Sequence, residues 1–244
     1  MIRLILIALF LLIYFIFSIP MFLIETIIGC INKNAKIKSS QWLVCQLGFK
    51  PILFLSGVRL TVKGLENVPA DTPVLYVGNH RSYFDIIIGY TLAKNNTGFI
   101  AKKEMEKIPF ISVWMKFINC QFLDRDDIKE GLKMVLRCID LIKAGTSIWI
   151  FPEGTRSPGD EMLPFKEGSF KIAEKTGCPI VPVSINNTES IFESHIPWVK
   201  GSHVVFEFGK PVDVKAMSRE ERKHLGAHIQ SIIRETVEKN SSIV

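Results

Sequence analysis

Thr72-Pro73-Val74-Leu75-Tyr76-Val77-Gly78-Asn79-His80-Arg81-Ser82-Tyr83-Phe84-Asp85 is the stretch on which the architecture turns. The unbroken apolar run from Pro73 to Val77 predicts a buried, central strand, and Tyr83 to Lys94 predicts the helix that follows it. A strand passing through a short turn into a helix is the building unit of an α/β fold. Such a turn can aim the His80 imidazole and the Asp85 carboxylate, five positions apart, at one point, as general-base chemistry requires. Ser82 and Asp85 also have the S-x-x-D spacing of a helix capping box, which accounts for Asp85 without any chemistry. On these residues alone both readings stand.

Working outward, Val58 to Lys63, Phe99 to Ala101, Gln121 to Leu123, Ser147 to Phe151, Pro179 to Ile185 and Val204 to Phe208 read as further strands. Glu104 to Phe117 reads as a helix disturbed at Pro109, and Gly168 to Thr176 as one stopped by Gly177. Asp127 to Lys143 carries Ile128, Leu132, Val135, Leu136, Ile139 and Ile142 at helical spacing, with Asp126 or Asp127 as its cap and Gly145 as its stop. Ser218 to Lys239 forms a closing helix with a capping box at Ser218 and Glu221. Strands alternate with helices and no repeat or low-complexity linker intervenes. The predicted fold is therefore α/β, a mixed, largely parallel central sheet flanked by helices.

The N-terminus is of another kind. Leu4 to Ile24 is 21 residues without a charge, long enough as a helix to cover the roughly 30 Å hydrocarbon thickness of a bilayer. It is too long for the apolar core of a signal peptide, which Arg3 would otherwise suit, so a retained anchor is expected. Pro20 leaves room for a kinked helix that dips into one leaflet. Trp42 to Val58 resembles an interfacial helix with an aromatic anchor, the alternative being a core helix. Lys33, Lys36 and Lys38 put the intervening turn, and the domain after it, on the cytoplasmic side of the cell membrane. Residues 1–57 are thus expected to be membrane-anchoring helices and 58–244 the catalytic domain.

With 244 residues, 48% of them hydrophobic, the chain can bury one substantial core. A net charge of +6 favours anionic partners. The five cysteines show no Cys-x-x-Cys spacing and sit among apolar neighbours, as buried or membrane-proximal thiols do. His224 and His228 lack the glutamate of H-E-x-x-H, since Leu225 stands there, and no metal site is expected. There is no G-x-G-x-x-G, Walker loop or G-x-S-x-G elbow, and basic and aromatic residues are not interleaved as on an RNA-binding sheet, so no nucleic-acid partner is expected.

Two more groups of residues carry chemistry. Phe151-Pro152-Glu153-Gly154-Thr155-Arg156-Ser157 is a strand end running into a tight turn that offers backbone N–H groups, a hydroxyl and a guanidinium to a phosphate or an oxyanion. An ordinary polar turn with a surface ion pair is the bland alternative. Lys102, Lys103 and Arg125 follow other strands, and the ends of parallel strands converge on one rim, where ligands bind in open α/β sheets. A solvated charged rim would look the same.

Asn79-His80-x4-Asp85, then Lys102-Lys103-Glu104 with Ile108-Pro109-Phe110, then Phe122-Leu123-Asp124-Arg125, then Phe151 to Ser157, then Ile180-Val181-Pro182-Val183-Ser184-Ile185 occur in this order. Together they resemble the four ordered blocks of the glycerolipid acyltransferases, specifically the 1-acylglycerol-3-phosphate acyltransferases of the PlsC type, from about Val58 to Lys210. The resemblance implies transfer of a fatty acyl group from a thioester, acyl-CoA or acyl carrier protein, to the sn-2 hydroxyl of lysophosphatidate at a bilayer, giving phosphatidate, with no cofactor. It implies that His80 and Asp85 are the catalytic dyad. Arg125, Glu153, Gly154, Thr155 and Arg156 would bind the acceptor with Lys102 assisting, and Pro182 would shape the acyl-donor site. The family often has glycines in its second block where this chain has Ile111-Ser112 and Asn119-Cys120. Acceptors with head groups, a thioester hydrolase using the same base on water, and a basic module that only binds anionic lipid are the alternatives.

Overall fold

The computed structural model describes residues 1–125, 127–159 and 161–244. In chain order the elements are α1 (Ile2–Ile31), α2 (Lys33–Trp42), a π-helical stretch Leu43–Phe49, α3 (Lys50–Ser56), β1 (Arg59–Lys63), β2 (Leu75–Gly78), α4 (Tyr83–Leu92) and β3 (Thr97–Lys102). There follow α5 (Ile111–Phe117), β4 (Gln121–Leu123), α6 (Ile128–Lys143), β5 (Ser147–Ile150), α7 (Lys171–Thr176), β6 (Ile180–Asn186), β7 (His203–Phe208), α8 (Arg219–Lys223) and α9 (Leu225–Asn240).

The seven strands form one sheet in the order β1-β7-β6-β2-β5-β3-β4. Every neighbouring pair is parallel except β6 with β7. The mixed, largely parallel sheet is the predicted one, and β2 is central with both of its neighbours parallel. Burial explains the uninterrupted apolar runs: every residue of β2, β5 and β6 is buried, because helices cover both faces. Along β2 the side chains alternate between two cores. Tyr76 points into an aromatic layer with Trp149, Phe99, Phe206 and Phe208, under α1 to α5, while Leu75 and Val77 join Ile148, Ile150, Ile180, Ile229 and Ile233 under α6, α7 and α9. Gly89 of α4 is where that helix rides closest to the layer; a Cβ there would stand 3.2 Å from the rings of Phe99 and Trp149.

Residues 1–57 pack onto the first of these cores. Ile7, Val44, Cys45 and Ile52 are buried in it, and α1 continues through Pro20. Within α1, Ser18 accepts a hydrogen bond from the Trp114 indole at 3.0 Å, and the buried Glu25 accepts from the hydroxyls of Ser39 and Ser40. The Arg3 guanidinium donates to Ser56 O at 2.8 Å and lies against both Gly57 and Gly201. The outer side of α1 is apolar and exposed from Ile2 to Ile31, and this helix is long and apolar enough to cross a membrane by length and composition. Val44, Cys45 and Ile52 are buried, as the core reading of this stretch expects, whereas Trp42 and Phe54 are exposed.

Several elements depart from the sequence reading. The helix expected over Glu104 to Phe117 is a short 3-10 turn, Lys103–Lys107, followed by α5, because Pro109 lacks an N–H and Phe110 adopts φ 61°. Asn119 has φ 59°, a left-handed conformation that asparagine tolerates and that glycine supplies at no cost. In α7 only Lys171–Thr176 is α-helical, preceded by a 3-10 turn, and the closing helix is split at His224 into α8 and α9. Asp127 caps α6 through Lys129 N and Glu130 N; Asp126, the alternative cap, lies outside the described residues. On α6 the apolar positions divide: Ile139 and Ile142 are buried, whereas Ile128, Leu132 and Leu136 are 90%, 62% and 53% exposed. Cys45, Cys120, Cys138 and Cys178 are buried free thiols and Cys30 is exposed; burial pushes Cys138 up to about 12.

Candidate active site

β2 ends at Gly78, and Asn79 extends its pairing by side chain: Nδ2 donates to Ile185 O and Oδ1 accepts from Ile185 N, both at 2.9 Å. The next residue, His80, is thereby delivered at the C-terminal rim of the sheet. Ser82 caps α4, and the predicted capping box is formed with Asp85 at its third position. The Asp85 carboxylate, fully buried, does more than cap. Oδ2 accepts from His80 Nδ1, Arg81 N and Ser82 N, all at 2.8 Å, and Oδ1 accepts from the Thr188 hydroxyl at 2.5 Å. An ionised carboxylate only accepts, so Nδ1 carries the proton and Nε2 has its lone pair free to take one. The ring is 12% exposed and stacks on Phe151, centroids 4.1 Å apart and planes 13° apart.

The turn after β5 closes over His80 from the other side. Glu153 is buried, and its Oε1 accepts from His80 N at 2.7 Å, while Oε2 accepts from Leu163 N at 2.9 Å and from the Ser157 hydroxyl. Ser157 N in turn donates to His80 O at 2.9 Å. Burial raises the Glu153 carboxyl above its ordinary value, and its hydrogen bonds work against that rise. Glu153 was expected to reach the acceptor; it faces inward instead and clamps the backbone of His80, since three internal donors already occupy its oxygens. Gly154 has φ 77° and spends its N–H on Phe151 O, closing the tight turn, so that N–H is not directed at a ligand. Thr155 is exposed at the tip of the turn.

Arg156 lies on the ring of Tyr83, its guanidinium carbon 4.0 Å from the centroid. Its Nη2 donates to Tyr83 Oη at 3.2 Å and its Nη1 to Glu193 Oε1 at 3.0 Å. Glu193 also accepts from Tyr83 N at 2.9 Å and from the Ser82 hydroxyl at 2.7 Å. Thus His80, Asp85, Glu153 and Arg156 come together at the ends of β2 and β5. Lys102 ends β3 and Arg125 follows β4 by two residues on the same rim, because those strands are parallel to β2. β4 is three strand spacings from β2, roughly 14 Å. Lys102 is exposed and pairs with Glu104 at 2.9 Å. Pro182 is not at the rim surface: it is buried within β6 beside Val77, its carbonyl accepting from Gly209 N at 2.8 Å.

Thr188, Glu189 and Glu193, on the segment between β6 and β7, escaped the sequence reading. Thr188 touches Asp85, Glu189 pairs with Arg81 at 3.2 Å, and Glu193 binds Ser82, Tyr83 and Arg156. The one signal they gave is position: they follow directly on a strand whose end belongs to the rim.

The model of the Acyltransferase family matches residues 59–186, which run from β1 to the end of β6. A 1-acyl-sn-glycerol-3-phosphate acyltransferase of Borreliella burgdorferi is 35% identical over 188 residues, 77% of this chain and 73% of that one. A chloroplastic enzyme of the same name from Brassica napus is 41% identical over 134 residues, 54% of this chain and 39% of the relative's length. Among solved structures, the 1-acyl-sn-glycerophosphate acyltransferase PlsC of Thermotoga maritima superposes with a TM-score of 0.80 at 28% identity, covering 97% of this chain and 94% of the other.

Proposed function

The chain belongs to the Acyltransferase family, and from that premise we propose that it transfers a fatty acyl group from a thioester to the sn-2 hydroxyl of lysophosphatidate, forming phosphatidate for phospholipid synthesis. The observation that carries this reading is the His80–Asp85 pair, held at 2.8 Å with Nε2 facing away from the carboxylate and the Arg156 guanidinium stacked on Tyr83 at the start of the same helix. The relatives' names supply the substrate class.

An alcohol attacks a thioester usefully only as its proton leaves. His80 Nε2 takes that proton while the oxygen bonds to the thioester carbonyl, and Asp85 stabilises the imidazolium that forms. The tetrahedral intermediate collapses with loss of the thiolate, which receives the same proton back from Nε2. The ester, the free thiol and neutral His80 are the products, so the step needs no cofactor. Phe151 and Glu153 hold the ring and its backbone in line. Arg156 faces the acceptor phosphate, and Lys102 and Arg125 add positive charge farther along the rim. Pro182, beneath the rim, acts on the acyl-donor side through the shape of β6. The exposed apolar side of α1 embeds in the bilayer that holds acceptor and product, with the catalytic domain on the cytoplasmic side.

The test is the purified protein offered lysophosphatidate and head-group-bearing lysophospholipids with acyl-CoA and acyl carrier protein in parallel. Phosphatidate formation that His80→Ala abolishes, in a variant still folded and membrane-bound, is the expected result. Phosphatidate formed by that variant at the wild-type rate would remove His80 from the mechanism. Thioester consumption that is undiminished when lysolipid is omitted would replace transfer by hydrolysis.

A further inference from the structure

Glu193 lies on no strand or α-helix, and it sits far in sequence from everything it touches. Its carboxylate nevertheless has three partners from two other parts of the chain. Oε1 accepts from Arg156 Nη1 at 3.0 Å and from Tyr83 N at 2.9 Å, and Oε2 accepts from Ser82 Oγ at 2.7 Å. Ser82 and Tyr83 begin α4, the helix on which Asp85 holds the His80 ring. One carboxylate therefore references the guanidinium and the general base to the same point.

Arg156 needs such a reference. It sits on a turn, 35% exposed, on a long side chain with much rotamer freedom to lose. The stack on Tyr83 fixes the plane of the guanidinium, and a cation over a ring at a partly exposed site is a modest constraint. The charge-assisted bond to Glu193 fixes its rotation within that plane. Glu193 and Tyr83 Oη engage two of the five N–H groups of the fork, which leaves donors for a phosphate.

We propose that Glu193 is a positioning residue for the acceptor: it locks Arg156 at a set reach from His80, so that the site favours a lipid whose phosphate and reacting hydroxyl are that far apart. This rests on the reading of Arg156 as the acceptor-phosphate cation. Glu193 does not touch the reacting atoms. It acts by sparing the acceptor the entropy of ordering Arg156, an effect on acceptor capture more than on the chemical step.

The test is steady-state kinetics with lysophosphatidate and acyl-CoA on Glu193→Gln, Arg156→Ala and the double variant. Glutamine keeps the size and the neutral hydrogen-bonding reach toward Tyr83 N and Ser82, so α4 retains its start while the ion pair is lost. The expected result for Glu193→Gln is an acceptor KM raised about 5- to 10-fold, with kcat and the acyl-CoA KM within about two-fold of wild type. In the Arg156→Ala background the same change should have no further effect, since its only route is gone. Glu193→Asp, one methylene too short to span both partners, should raise the acceptor KM in the same direction. An unchanged or lowered acceptor KM in Glu193→Gln, or effects that add in the double variant, would overturn the proposal. An acceptor KM left at the wild-type value by Arg156→Ala would overturn the assignment of Arg156 and the proposal with it.

Discussion

Thr188 donates its hydroxyl to Asp85 at 2.5 Å across 103 residues of sequence, with both side chains buried. The aspartate that holds the His80 ring is thus itself held from the far side, by the first turn after β6. Asp85 has one oxygen for His80 and the start of α4, and the other for Thr188.

Thr188→Val keeps the shape and removes the donor. A buried carboxylate oxygen left without its partner costs about 1–3 kcal/mol. Transfer should lose roughly ten-fold in kcat, with both KM values near wild type, and Thr188→Ser should restore most of the rate. Steady-state rates of the three proteins check this; a valine variant at the full wild-type rate would make Thr188 dispensable to Asp85.

Gly89→Ala places a methyl 3.2 Å from the buried rings of Phe99 and Trp149. Overpacking costs about 1–3 kcal/mol, against about 1 kcal/mol gained in helix propensity. Trp149 is wedged between Tyr76 and Phe99, with centroids 4.7 and 5.0 Å away, and has little room to yield. A net loss of about 1 kcal/mol is expected, read as a lower thermal midpoint in detergent micelles.

Ser18→Val should loosen α1 from the body of the protein. It strips the Trp114 indole N–H of its acceptor in a buried place, for about 1–3 kcal/mol. Ser18→Thr retains the oxygen. The valine variant should melt earlier than the threonine variant; equal midpoints would mean that the bond contributes nothing.

Glu153 gives a signed pH dependence. Burial raises its carboxyl in the native state above the ordinary 4.5. The native state then holds the proton more tightly than the unfolded chain does. The stability this provides is complete below about 4.5 and is lost as pH rises through the raised native value. Glu153→Gln cannot titrate there, so the stability of wild type relative to that variant should decline from about pH 4 to about pH 7. Urea midpoints of the two proteins at both pH values measure the difference, and a constant or widening advantage for wild type would contradict the raised value.

The strands and their burial were legible because a buried parallel strand is a local, continuous apolar run: Leu75 to Val77, Ser147 to Ile150 and Ile180 to Ile185 each announce themselves. The capping box of Ser82 and Asp85 was legible for the same reason, being a pattern of four residues. The sheet order was not, since it depends on crossovers such as the one that takes β6 to the side of β2. Nor was the inward turn of Glu153, whose partners His80 and Leu163 stand on separate loops. Glu193 and Thr188 have no periodicity to betray them, and a carboxylate that binds helix-start donors 110 residues away looks in sequence like any surface acid. α6 misled in the opposite way: Ile128, Leu132 and Leu136 keep helical spacing with the buried Ile139 and Ile142 and are nevertheless exposed.

Arg3 ties the first turn of α1 to the carbonyl end of α3 and wedges its guanidinium between Gly57 and Gly201. Gly201 lies just before β7, at the far end of the same connection that carries Thr188, Glu189 and Glu193. The long apolar helix and the loop that grips Asp85 and Arg156 therefore share a rivet. A shift of α1 against the sheet is thus also a pull on the segment that holds those two side chains.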